Sequence, residues 1–173
     1  MRLNEPARSL PFKSVATLAL VLVSGGSFAQ SADLSRQDAE IALQRLRGAV
    51  RQVLNVPAKP AKPLTGSTAV TRAEVIDQLY DLYQMSRPAF RQNFALQAVN
   101  QSAIDKGLPV AARVKARELV RLGLVAPIGP VITNSRPGLT PEQFGDALGL
   151  FVARLSEFTH TASARWSPHL MRP

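Results

Sequence analysis

Residues 71–85 read TRAEVIDQLYDLYQM, and residues 140–148 read TPEQFGDAL. Both stretches open on a threonine followed three residues later by Glu74 or Gln143. This is the capping-box order, in which each side chain reaches the other's free backbone N–H at a helix start. Val75, Leu79, Leu82 and Tyr83 then recur at helical spacing, as do Phe144, Leu148, Phe151, Val152 and Leu155 downstream. Laid on each other, the two starts match at the cap, at Val75 with Phe144, at Asp77 with Asp146 and at Leu79 with Leu148. Two amphipathic helices therefore enter by the same device, and the fold is expected to be helical.

Upstream, SRQDAEIALQRLRGAVRQVLN from Ser35 places Ala39, Ala42, Leu43, Leu46, Val50, Val53 and Leu54 on one face and arginines on the other. Residues 56–69 contain Pro57, Pro60 and Pro63, which rules out a helix interior there. They suit an extended, polyproline-like linker that exposes Lys59 and Lys62, rather than a recognition motif. Ser86-Arg87-Pro88 is expected to end one helix and open another running to Gly107, with Phe90, Phe94, Ala98 and Ile104 as its apolar side. Leu108-Pro109 starts a shorter helix to Leu122, with Val110, Val114, Leu119 and Leu122 facing inward. Residues 124–138 are proline- and glycine-rich and suit a loop with a short extended piece at Val131-Ile132. The pattern predicts an all-α, roughly five-helix bundle over residues 30–160. Two helix-loop-helix halves, about 36–84 and 108–156, build it, and a polar tail over 161–173 lies on its surface.

The N-terminal residues point to an address. Arg2, Arg8 and Lys13 precede an apolar run from Val15 to Val23, then small residues ending in Ser27-Phe28-Ala29. That order predicts a secretory signal over 1–29, cleaved after Ala29, and a periplasmic or secreted product without a stable membrane span in its mature form. The chain has no cysteine, which excludes disulfides and thiolate metal sites. Hydrophobic residues make up 46% of the 173, enough for a core, and aromatics only 6%, so that core rests on aliphatic side chains. A formal charge of +9 favours anionic partners, and export argues against nucleic acid among them. A winged-helix arrangement of residues 88–104 and 109–122 on DNA fits the charge but not the address.

The string Thr71-Arg72-Ala73-Glu74, the Leu122-Gly123-Leu124 turn, Pro137 in the following loop and the Thr140-Pro141-Glu142-Gln143-Phe144 helix start together resemble the S-layer homology domain. The likeness spans roughly 36–84 and 108–156. It implies clustered loops that hold an acidic cell-wall carbohydrate. Carried over, the ligand-facing role falls on Arg72, flanked by Thr71 and Glu74, and Pro141 stands where a second arginine would be. A guanidinium suits a carboxylate because its planar fork gives two parallel donors.

No catalytic motif stands out. HExxH, GxSxG and a phosphate-cradling glycine loop are absent from the sequence. His160 and His169 are too sparsely supported by carboxylates to form a metal pair, and Asp77 and Asp81 suit a solvated helix face. The expectation is an exported, non-enzymatic cell-envelope protein without cofactor or metal, binding acidic polysaccharide or peptidoglycan. The alternative is a periplasmic adaptor or chaperone using the faces at Leu46, Val50 and Leu54 or at Phe90 and Phe94.

Overall fold

Ser35, Thr71 and Thr140 each hold an extended backbone and accept a hydrogen bond from the N–H three residues on, so each starts a helix where the sequence places one. The computed structural model describes residues 33–65, 69–91 and 95–170. The expected export signal over 1–29 and Phe94 lie outside the described residues. Among those described, the helices are α1 (Arg36–Leu54), α2 (Arg72–Ser86), α3 (Gln101–Gly107), α4 (Val110–Arg121), α5 (Pro130–Thr133), α6 (Pro141–Thr159) and α7 (Ser167–Leu170). Short 3-10 turns cover Arg87–Ala89 and Ser163–Arg165. The fold is all-α, and α1, α2, α4 and α6 are its long elements.

Contacts between these four helices advance in the same sense. Arg36 on α1 meets Glu74 on α2, and further along both helices Arg47 meets Asp81. Asp77 on α2 meets Lys115 on α4, and beyond it Tyr80 and Tyr83 meet Glu118. The residues entering α6 bond to the starts of α1 and α2, through Leu34 N–H to Leu139 O (2.8 Å) and Arg72 N–H to Pro137 O (3.0 Å). At its far end, Phe158 lies against Phe90, just past the end of α2. The long helices therefore run parallel, and each connection must carry the chain back from the far end to the near end.

The return segments depart furthest from the helical pattern of the sequence. The helix expected from Pro88 to Gly107 does not form. Among the described residues, a 3-10 turn, a stretch without helix or strand over 95–100 and the short α3, capped by Asn100, take its place. The backbone donors here serve other helices. Arg91 N–H donates to Phe158 O at the end of α6, and Gln97 N–H donates to Arg121 O at the end of α4. Satisfying the orphan carbonyls at two helix ends outweighs the local helical pattern. Residues 131–132, expected to be extended, fall inside the one-turn helix α5, which Pro130 opens at its first position.

The core takes its members from every long helix, including Leu46, Ile76, Leu79, Leu82, Leu119, Phe144 and Phe151. On α4 the expected inner stripe is only half right. Leu119 and Leu122 are buried, but Val110 and Val114 are 74% and 67% exposed. Ala112 and Ala116 face inward instead, because small side chains let α4 lie close to α2. Asp81, expected on a solvated face, is buried against α1 and the 56–65 return segment. The residues after α6 do more than lie on the surface. Trp166 is fully buried, and α7 packs on α1.

Candidate functional site

The starts of α1, α2 and α6 meet at one end of the bundle. Their entry residues pair edge to edge as isolated bridges, Ser35 with Ala69 and Thr71 with Gly138. Thr71 and Glu74 complete a full capping box. Glu74 N–H donates to Thr71 Oγ1 (3.2 Å), and Thr71 N–H donates to Glu74 Oε2 (2.9 Å). The Glu74 carboxylate also faces Arg36 at 3.1 Å. Burial pushes Glu74 up, but the Thr71 backbone donor and the Arg36 guanidinium outweigh it and hold the carboxyl below its usual value.

Arg72 is half-buried at the first position of α2. Its Nη1 donates to Ile132 O at 3.0 Å, which satisfies a carbonyl of α5. Burial lowers its pKa, yet an arginine remains charged at working pH. Gly107, at the end of α3, is tied into the same junction. A Cβ there would lie 1.8 Å from Ile132 O and 3.6 Å from the Arg72 guanidinium. Only glycine permits that approach.

The three residues named from sequence are thus brought together, with Thr71 and Glu74 engaged by each other and by Arg36, and Arg72 tied to α5. Sequence reasoning missed Arg36. The signal was present, since Ser35-Arg36-Gln37-Asp38 repeats the cap, arginine, spacer, acid order of 71–74. Asp38, Glu74 and Glu142 lie in the first turns of the three converging helices, where negative charge complements the helix dipoles.

A second polar cluster lies between α1, α2 and the return segment. Asp81 is 4% exposed and faces both Arg47 at 2.8 Å and Lys59. Burial pushes its carboxyl up, and the two cations more than offset this, holding it below its usual value. On the opposite side of α2, the Tyr80 and Tyr83 hydroxyls both donate to Glu118, at 2.9 and 2.8 Å. Burial and that carboxylate push Tyr83 up to about 12.

Among the described residues, no group of three or more His, Asp or Glu side chains could hold a metal ion, and no helix is long and apolar enough to cross a membrane. The faces at Leu46, Val50 and Leu54 complete the core, and Phe90 packs between Tyr83 and Phe158, at 6.0 and 5.1 Å between ring centres. Comparison with known protein families, curated proteins and solved structures gave no match.

Proposed function

We propose that this chain is an exported, non-enzymatic protein of the cell envelope that binds acidic wall polysaccharide or peptidoglycan, with Arg72 and neighbouring basic side chains as the contact. One observation carries the reading. The chain has 21 Lys and Arg against 12 Asp and Glu, and internal ion pairs already occupy Glu74, Asp77, Asp81, Asp105 and Glu157. Arg45, Arg51, Arg121, Arg136 and Arg165 make no ion pair among the described residues, so the surface excess of cations is available to an anionic polymer.

The test is retention of the purified protein on isolated cell walls. Retention should fall steeply as salt rises to about 0.5 M, where screening is much shorter than the ~10 Å of 0.1 M salt. It should weaken in Arg72→Ala and recover only in part in Arg72→Lys, which restores charge but not the planar fork. Circular dichroism on each variant separates loss of binding from loss of fold. Retention that ignores both salt and Arg72 refutes the reading. Mass spectrometry of protein recovered from the envelope should find a mature N-terminus at Gln30.

A second reading, a protein-interaction module of the envelope, rests on a different observation. Val110 and Val114 stand one turn apart on the outer face of α4, both largely exposed. Cross-linking in cells through a photoreactive residue at position 114 should capture one defined protein if that reading holds. Signal spread over many proteins would remove it.

A further inference from the structure

The first return segment, residues 56–65, differs from the others in having no helix or strand. Pro57, Pro60 and Pro63 fix their own φ angles and lack N–H donors. Each also restricts the residue before it, so Val56, Lys59 and Lys62 are held extended. The segment is therefore stiff, and little of its shape depends on the bundle beneath it.

Among the described residues, its attachments to the bundle are these. Lys59 Nζ pairs with Asp81, and Arg47 Nη1 donates weakly to Lys59 O at 3.5 Å. Gln78 Nε2 donates to Lys62 O at 2.8 Å. Val56 and Leu64 are buried at the two ends of the segment, Val56 N–H donates to Arg51 O at 3.3 Å, and residues 57–63 between them are all exposed. Asn55, in the left-handed conformation at φ 52°, ends α1 and turns the chain into the segment. A cleft of about 250 Å³ already runs along the segment's edge, with Leu43, Gln44 and Arg47 of α1 on one side and Lys62, Pro63 and Leu64 on the other.

We infer that residues 57–65, anchored at the buried Val56, form a strap that opens over the α1–α2 groove independently of the bundle, with the Asp81–Lys59 ion pair as its latch. Closed, the strap buries Leu64 and narrows the groove to the cleft. Open, it joins the cleft to the surface of α1 and α2 around Leu43 and Gln78. Because the proline-locked backbone keeps its form, the strap lifts and reseats as one piece, and the four long helices stay packed.

The absence of cysteine makes the test clean. A single thiol is introduced into the full-length chain as Leu64→Cys, and in a separate protein as Val50→Cys, in the fully buried face of α1. Labelling by a small thiol reagent under native conditions reads opening at each site. Leu64→Cys should react roughly 100-fold or more faster than Val50→Cys, as local opening precedes global unfolding. Adding Lys59→Gln should raise the Leu64→Cys rate roughly tenfold while Arg47 still neutralises Asp81. Asp81→Asn, a second route to the same latch, should act in the same direction and add little to Lys59→Gln when the two are combined. Equal labelling at positions 64 and 50 would overturn the proposal, since the strap would then open only with the whole domain. A Leu64→Cys rate unmoved by Lys59→Gln would overturn the latch.

Discussion

Trp166 offers the sharpest test of how the bundle is closed. It is the only tryptophan, it is fully buried, and its Nε1 has no hydrogen-bond partner among the described residues. Two terms of opposite sign meet in one side chain. Truncation to alanine in a packed interior costs about 3–5 kcal/mol through lost burial and the cavity left behind. A buried N–H without an acceptor costs about 1–3 kcal/mol, and that penalty disappears with the indole. Phenylalanine keeps most of the ring packing and removes the donor. Trp166→Phe should therefore leave stability within about 1 kcal/mol of the parent, whereas Trp166→Ala should lose about 2 kcal/mol, the difference between the middles of the two ranges. Urea unfolding followed by far-ultraviolet circular dichroism measures both, since a loss of that size moves the midpoint by roughly 1–2 M for a domain of this length. Equal destabilisation by phenylalanine and alanine would mean that the indole N–H is bonded and the orphan-donor argument is wrong. A Trp166→Ala loss under about 1 kcal/mol would mean that residues 163–170 do not close the core.

Other substitutions probe the converging helix starts. Gly107→Ala should destabilise by about 2 kcal/mol or more, because the new Cβ meets the Ile132 carbonyl backbone and neither α3 nor α5 can give way cheaply; thermal denaturation reads it. Thr71→Ala should cost about 1 kcal/mol and Thr140→Ala a similar amount, and Thr→Asp at either cap should retain most of it. Asp81 and Glu74 are held below their usual values when folded, so the native state binds fewer protons than the unfolded chain. Their contribution is full above the unfolded carboxyl range near pH 4 and is lost as pH falls through the folded values. The urea midpoint should stay level from pH 7 to about 5 and then drop, and Asp81→Asn should flatten part of the drop.

The capped helix starts were legible because capping is local. Five residues fix the N-cap, the side chain three residues on and the first apolar contact, and Ser35, Thr71 and Thr140 all perform as their sequences say. The outer stripe of α4 was misread because bulk is a poor guide when alanines set the packing distance, so Ala112 and Ala116 took the places assigned to Val110 and Val114. The stretch before α3 was misread because its N–H groups bond to helix ends distant in sequence, and no window of local residues contains those partners. Asp81 was assigned to solvent because its two cations come from α1 and from the proline-rich return segment. At the junction, the sequence indicated Thr71, Arg72 and Glu74 but not that Arg36 and the Ile132 carbonyl would meet them.

Parallel helices whose starts gather at one end are the arrangement on which the junction, the strap and the binding proposal all depend. Pulsed electron–electron distance measurement between paired spin labels tests it, with cysteines introduced at the exposed residues Gln37 and Glu142 in one protein and at Gln37 and His160 in another. The 37–142 distance should be the shorter, and 37–160 should approach or exceed the length of α6, about 28 Å. A 37–160 distance equal to or shorter than 37–142 would place α6 antiparallel to α1 and contradict the account.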